Sequence, residues 1–271
     1  MQIFIINILI LIYFNNFYQS VFAKNQEDFM ELIKTGIAGL DDLLNGGIPR
    51  GNQVLISGGP GTGKTMLSLE FLVRNAITGR KGIFFNLEET GDKLKEEFLS
   101  AMPNLKEDFD KVIKKGTLIL SGRETALRVR GGKGDNPYEI DNLIAQLSET
   151  IRNEGVELVV IDSLSVFSLL TDEPSVYKRS MYLLTETLQK LNVTSLLTIE
   201  LTERNVSALK FKSEFFIFDG LIVLYQMIEN KKRIAEIEII KMRGNSHSFD
   251  VLPYQILPQG IKVSVKNMGL Y

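Results

Sequence analysis

One glycine-rich segment constrains this chain of 271 residues more than any other feature. It follows the apolar run at 53–57, opens into the amphipathic run from Met66, and reads Gly58, Gly59, Pro60, Gly61, Thr62, Gly63, Lys64 and Thr65. This spacing between a strand and a helix is that of a phosphate-binding loop. Its backbone N–H groups converge on phosphate oxygens, Lys64 neutralises β- and γ-phosphate charge, and the Thr65 hydroxyl is placed to ligate Mg²⁺. We therefore expect the chain to bind a nucleoside triphosphate, ATP, together with magnesium.

Composition narrows the function classes. With 44% apolar residues, the chain can build the core of one large α/β domain or two small ones. A net charge of −2 argues against a protein whose main task is to coat nucleic acid. The chain has no cysteine and a single histidine, His247, which excludes disulfides and makes a structural zinc site implausible. Magnesium held with the nucleotide is the metal we expect.

The first 29 residues differ from the rest, so we divide the chain into an apolar extension at 1–29 and a domain at 30–271. No Lys or Arg precedes Lys24, and the apolar run 3–14 is shorter than the ~20 residues that a membrane-spanning helix needs. We favour a start codon assigned too far upstream, with a native start near Met30. A membrane-associated extension and a cleaved signal peptide are the alternatives. A consumer of ATP is expected in the cytoplasm.

Beyond the loop, apolar and amphipathic runs alternate along the chain. The pattern predicts helices near 64–79, 91–102, 138–153 and 175–191, and strands at 82–87, 117–121, 156–163, 194–199, 220–226, 233–241 and 261–265. This alternation is typical of a mostly parallel central sheet flanked by helices. We expect an α/β fold with antiparallel strands at its C-terminal edge, and a basic surface excursion at 122–137.

Carboxylates stand at the ends of two predicted strands. Asp162 ends the apolar run 158–161, where it can hold the hydration shell of Mg²⁺ beside Thr65. Glu88 and Glu89 end the strand at 82–87, on the sheet edge where ligands of open α/β sheets bind. Neighbouring side chains on a strand point to opposite faces, so one of the pair, preferably Glu88, is expected to orient and polarise the attacking water, while Glu89 supports it or the strand end. The alternative is that Glu89 and Asp92 only supply acidic residues to a helix start.

Taken together, these segments resemble the RecA superfamily of P-loop NTPases, and more closely its KaiC-like ATPases. The resemblance covers residues 31–266, as one domain. It rests on the entry 35–41, the phosphate loop, the Glu88–Glu89 pair, residues 161–165 and the basic turn 241–248. It implies a RecA-like core.

The basic turn carries the most discriminating part of the resemblance. In the family it reaches across a subunit boundary towards the neighbour's γ-phosphate, which assigns charge stabilisation to Lys241 and Arg243 and a phosphate or base contact to His247. A cation supplied in trans accelerates phosphoryl transfer by 10³ to 10⁵-fold in known cases. The resemblance therefore implies a homo-oligomeric ring, a hexamer, with active sites between subunits.

One departure from the family concerns autophosphorylation. Where the autophosphorylating domain of the clock protein has a Ser/Thr pair, the register anchored on Asp219 places Phe215 and Phe216 here. Neither side chain can accept phosphate, so we expect hydrolysis without that autokinase cycle.

Three functions remain open at this point. The preferred one is a KaiC-like ATPase with a regulatory role and a regulatory protein partner. The second is a recombinase-like, DNA-dependent ATPase; the segment 201–210 argues against it because it has no glycine and few cations, whereas the Arg/Gly/Lys excursion at 123–134 favours it. The third is a nucleotide-sensing scaffold with little turnover.

Overall fold

A computed structural model describes residues 31–122, 139–201, 213–229 and 232–265. The predictions for residues 1–29, nearly all of the basic excursion, and most of the segment 201–210 fall outside these ranges. Of the helices in the described part of the chain, none combines the length and the apolar character that a membrane crossing requires.

In the described residues, nine strands form one sheet. They are β3 (Gln53–Gly58), β4 (Gly82–Asn86), β5 (Leu118–Ser121), β6 (Leu158–Asp162), β7 (Thr194–Glu200), β8 (Gly220–Glu229), β9 (Lys232–Met242), β10 (Leu252–Leu257) and β11 (Gly260–Val263). Their order across the sheet is β11-β10-β9-β8-β3-β7-β6-β4-β5. Strands β8, β3, β7, β6, β4 and β5 run parallel. Strands β9, β10 and β11 add antiparallel partners beyond β8, as predicted for the C-terminal edge. A separate ribbon pairs β1 (Leu32–Ile33) with β2 (Ile48–Pro49).

Helices cover both faces of the sheet. The α-helices of the described ranges are α1 (Leu40–Leu43), α2 (Lys64–Ile77), α3 (Gly91–Ala101), α4 (Lys106–Lys115), α5 (Glu139–Glu154) and α6 (Pro174–Lys190). Because successive side chains of a strand point to opposite faces, the central strands divide between two cores. Val54 and Ile56 of β3 pack with α2, α3 and α4, whereas Leu55 packs with α5 and α6. The predicted α/β architecture is confirmed.

Helix α4, strand β10 and the short ribbon of β1 and β2 were not predicted. Helix α4 has a helical apolar pattern, with Phe109 and Val112 buried, acidic residues in its first turn and a left-handed Gly116 at its end. Strand β10 contains Pro253, which cannot donate to a strand ladder and so obscured the alternation of the buried Leu252 and Tyr254. Strand β10 lies beside the phosphate loop and contributes directly to the site described below.

Candidate active site

The phosphate loop joins the C-terminal end of β3 to the start of α2. Gly61 and Gly63 adopt left-handed backbone angles, with φ of 75° and 87°. At Gly58 the constraint is space, because a Cβ there would lie 2.7 Å from the Leu224 carbonyl oxygen of β8. The glycine pattern is therefore required by the path of the backbone, which curves closely around the Lys64 side chain.

Lys64 projects into that curve. Its ammonium donates to the carbonyl oxygens of Gly58 at 2.8 Å and Gly59 at 3.0 Å. Burial lowers the pKa of Lys64 from its ordinary value, and the negative charges of Asp162, Glu200 and Glu88 oppose that shift. The structure thus brings a half-buried cation and three carboxylates to one edge of the sheet.

Thr65 and Asp162 meet beside this cation. The Thr65 hydroxyl donates to Asp162 Oδ2 at 2.6 Å, and the Thr198 hydroxyl of β7 donates to Oδ1. Asp162 is only 8% exposed, and burial raises its pKa, whereas the two hydroxyl contacts favour its charged form. A hydroxyl and a carboxylate side by side fit Mg²⁺, which usually takes one or two protein oxygens and completes its shell with water and phosphate. Thr65 and Asp162 are the residues that would hold it.

Glu88 and Glu89 diverge after β4. The Asn86 side-chain oxygen accepts hydrogen bonds from the backbone N–H groups of Glu88, at 3.0 Å, and Glu89, at 2.9 Å. These two bonds turn the chain at the end of the strand. Glu88 is exposed, and its carboxylate accepts a hydrogen bond from the Ser163 hydroxyl at 2.6 Å. Glu89 instead pairs with Lys93 one turn into α3. Glu88 is therefore the carboxylate that faces the end of β6 and Asp162.

The basic turn lies at the other end of the sheet. Gly220 of β8 is level with Val54, and Met242 of β9 is level with Gly220, so the turn is near the start of β3. Gly58 is four residues further along β3, which is about 13 Å at the rise of a strand. Lys241 and Arg243 are consequently remote from the phosphate loop of their own chain.

Within the chain these cations contact the segment before β8. Lys241 donates to the carbonyl oxygens of Phe216, at 3.3 Å, and Phe218. Arg243 pairs with Asp219 at 3.3 Å, and its side chain is 55% exposed. Burial, followed by the nearby Arg243 charge, lowers the pKa of Lys241.

His247 belongs to the same basic turn, and its contacts are with neighbouring residues. Its Nδ1 lies 2.9 Å from the carbonyl oxygen of the neighbouring Ser248, and its ring centroid is 5.1 Å from that of Phe249. The predicted site residues thus form two groups, one at the C-terminal ends of the parallel strands and the other near the start of β3.

Sequence reasoning assigned no role to Asn86, Ser163 or Thr198. Asn86 and Ser163 are polar residues at or just after strand ends, a signal that the sequence carried. Thr198 could be found only from the register between β6 and β7, in which Ile161 is level with Leu197. That register is a long-range property of the sheet.

Comparison with known proteins agrees with this arrangement. A family model described as "ATPase: KaiC" matches residues 33–268. The circadian clock oscillator protein KaiC of Parathermosynechococcus lividus is 29% identical over 231 residues, which cover 85% of this chain and 42% of the relative. That of Thermosynechococcus vestitus is 31% identical over 248 residues, which cover 88% of this chain and 45% of the relative. The chain therefore spans less than half the length of these relatives.

A solved structure has nearly the same extent as this chain. The crystal structure of a KaiC-like protein from Pyrococcus horikoshii OT3 superposes with a TM-score of 0.73 and 29% sequence identity, and the match covers 87% of this chain and 99% of that one. Its fold agrees with the mostly parallel sheet and antiparallel edge described above. Together with the family match over residues 33–268, this shows that the chain belongs to the KaiC family of ATPases.

Proposed function

We propose that this protein hydrolyses Mg·ATP at active sites completed between the subunits of a hexameric ring, and that it has a regulatory role. One observation carries the proposal. Lys64, Thr65, Asp162 and Glu88 meet at one edge of the sheet, whereas Lys241 and Arg243 lie at the opposite edge.

Each group at the loop edge has a chemical task. Lys64 neutralises phosphate charge, and Thr65 and Asp162 hold Mg²⁺. An ion held by these two residues would offset the negative charge that develops during phosphoryl transfer. Glu88 orients and polarises the attacking water, while the Ser163 hydroxyl holds the carboxylate in place.

The opposite position of the basic turn supports action on a neighbour. Lys241 and Arg243 cannot stabilise phosphate charge at their own loop across about 13 Å of strand. In a head-to-tail ring, the basic turn of one subunit faces the phosphate loop of the next subunit. The half-exposed Arg243 guanidinium and the Lys241 ammonium then reach the γ-phosphate of the adjacent site, and His247 contacts phosphate or base there.

The regulatory role follows from the same arrangement. If each site needs two subunits, bound ATP favours the assembled ring, and hydrolysis changes the surface offered to a protein partner. ATP consumption favours a cytoplasmic location. No described residue favours a DNA-dependent activity.

Hydrolysis across a range of protein concentrations tests the proposal. With the full chain and Mg·ATP, specific activity should rise with protein concentration, because assembly completes the site, and it should not respond to DNA. Constant specific activity would contradict completion in trans, and strong stimulation by DNA would support a recombinase-like enzyme. Binding of ATP with negligible turnover at every concentration would indicate a nucleotide sensor.

A mixing experiment tests the exchange of residues directly. Glu88→Gln removes the water-orienting carboxylate beside the phosphate loop and leaves the basic turn intact. Arg243→Ala disables the basic turn and leaves the residues beside the phosphate loop intact. Each variant alone should be nearly inactive. Random mixing in equal amounts should restore about a quarter of the wild-type rate, because about one interface in four then combines two intact edges. No recovery in mixed rings of verified composition would contradict the proposal.

A further inference from the structure

Three side chains outside the predicted site contact the outer surface of the phosphate loop. Gln226 Nε2 of β8 donates to the Gly61 carbonyl oxygen at 2.8 Å. The Tyr254 hydroxyl of β10 donates to the Thr62 carbonyl oxygen. Ile256 lies so close to Gly63 that a Cβ there would be 2.7 Å from Ile256 Cδ1. Three successive loop residues are therefore each held by a different side chain.

We propose that Gln226, Tyr254 and Ile256 form an outer clamp that fixes the phosphate loop in its nucleotide-binding conformation before the nucleotide arrives. The proposal rests on the proposed function insofar as this loop binds the phosphates of ATP. The three residues act through the loop backbone, so they are positioning residues.

The geometry of the peptide bond explains how an outer contact acts on the inner surface. In a planar trans peptide, the carbonyl and the following N–H point in opposite directions. When Tyr254 holds the Thr62 carbonyl outward, the Gly63 N–H is directed towards the curve around Lys64, where a phosphate oxygen is expected. Gly63 has no side chain to resist rotation, so an outside anchor is needed to keep this orientation.

The strand pattern explains how one strand supplies two of these contacts. Tyr254 and Ile256 are two residues apart on β10, so both face the loop. Tyr254 is 3% exposed, so its hydrogen bond is shielded from competing water.

The hairpin of β10 and β11 also holds the helix that follows the loop. The Ile261 backbone N–H donates to Glu70 Oε2 of α2 at 2.7 Å, and Arg74 Nη2 donates to the Gln259 carbonyl oxygen at 2.8 Å. Loop and helix are thus braced by the same hairpin. A loop already ordered loses less conformational entropy when it binds a ligand, which increases affinity.

The test compares Tyr254→Phe with the matched control Tyr225→Phe. Both tyrosines are 3% exposed, but the Tyr225 hydroxyl donates to Glu238 at 2.6 Å and has no hydrogen bond to the loop. Equilibrium binding of ADP with Mg²⁺, measured by calorimetry on the full chain, should weaken about fivefold in Tyr254→Phe, the equivalent of one net hydrogen bond. It should be unchanged in Tyr225→Phe. Adding Gln226→Leu should bring the loss to about 25-fold if the two contacts are independent.

Hydrogen exchange of nucleotide-free protein gives a second readout. Exchange at residues 58–65 should be faster in Tyr254→Phe than in wild type or in Tyr225→Phe. In steady-state hydrolysis, KM should rise while kcat stays near wild type, because Glu88 and Asp162 are untouched. Wild-type ADP affinity and wild-type loop exchange in Tyr254→Phe would overturn the clamp.

These readouts separate the clamp from the proposed ATPase. A wild-type protein that binds ADP but does not hydrolyse ATP would contradict the proposed function, and the ADP affinities of the variants would still decide the clamp. The exchange measurement needs no nucleotide at all.

Discussion

The Thr65 hydroxyl lies 2.6 Å from Asp162 Oδ2, although the two residues are 97 positions apart in the chain. Thr65 lies in the first turn of the helix after the phosphate loop, and Asp162 ends a strand two places away in the sheet. Their contact joins the two halves of the candidate metal site. It exists because the parallel strands β3 and β6 end at the same edge.

Asp162→Asn should weaken the magnesium dependence of nucleotide binding. The amide keeps the size of the side chain and can still accept a hydrogen bond, but it loses the negative charge that attracts the cation. We expect the gain in ADP affinity on adding Mg²⁺ to fall by about 10–100-fold. Asp110→Asn, at a half-exposed aspartate of α4, is the control and should respond to Mg²⁺ like wild type. An equal Mg²⁺ effect in Asp162→Asn would exclude Asp162 as the metal ligand.

Glu88→Gln and Glu89→Gln should differ sharply in turnover. Glu88 is held by Ser163 near Asp162, so its amide variant should lose about 10²–10⁴-fold in kcat and keep its nucleotide affinity. Glu89 pairs with Lys93, so Glu89→Gln removes only a surface ion pair, and kcat should stay near that of wild type. Single-turnover hydrolysis and ADP binding measure the two effects. The reverse ranking of the variants would assign the water-orienting role to Glu89.

Much of the fold was predictable because its signals are local. A strand, a loop and a helix are specified by the apolar run at 53–57, the glycine spacing and the start of α2. Two more parallel strands are specified by the apolar runs that end at Asn86 and Asp162. Helix α4 was missed although its signals were present. Strand β10 was missed because Pro253 interrupts its alternation, and its place beside β9 depends on pairing between distant residues.

The site was predictable only in part, for a related reason. The sequence indicates which residues end strands, so Lys64, Thr65, Glu88 and Asp162 could be placed at one edge. It does not indicate which residues are level with one another in neighbouring strands, so the contact between Thr198 and Asp162 was missed. The hydroxyl of Tyr254 reaches the loop from the unpredicted β10, and so this contact was missed as well. The remoteness of Arg243 from its own loop also depends on the register between β8 and β9.

Arg243→Ala should separate a structural role from a role at a neighbouring site. Its ion pair with Asp219 is half-exposed, so the free energy of unfolding should fall by less than about 1 kcal/mol. If Arg243 stabilises phosphate charge in trans, kcat should fall about 10³-fold or more. Arg179→Ala is the matched control, because Arg179 also makes an exposed ion pair at 3.3 Å, with Asp141. Urea unfolding and hydrolysis measure both quantities, and similar hydrolysis rates in the two variants would leave Arg243 with a structural role alone.

Glu70 should make the stability of the domain depend on pH. Its carboxylate is 1% exposed, and burial raises its pKa above the ordinary value, although the Ile261 N–H and Arg74 partly oppose the shift. Between the unfolded pKa, about 4.3, and the raised native pKa, the folded state keeps a proton that the unfolded state has lost. The Glu70 contribution to stability is therefore fully present below the unfolded pKa, and it decreases as pH rises through the native pKa.

Glu70→Gln isolates this effect. Glutamine can still accept the Ile261 N–H and has no charge to titrate, so its stability should not show this decrease. The free energy of unfolding of wild type minus that of Glu70→Gln should fall by up to about 1.4 kcal/mol per pH unit inside the window and level off above it. Urea titrations at a series of pH values from 4 upward measure that difference. A difference that stays constant would show that the Ile261 N–H and Arg74 balance burial at this carboxylate, and a difference that rises with pH would show that they outweigh it.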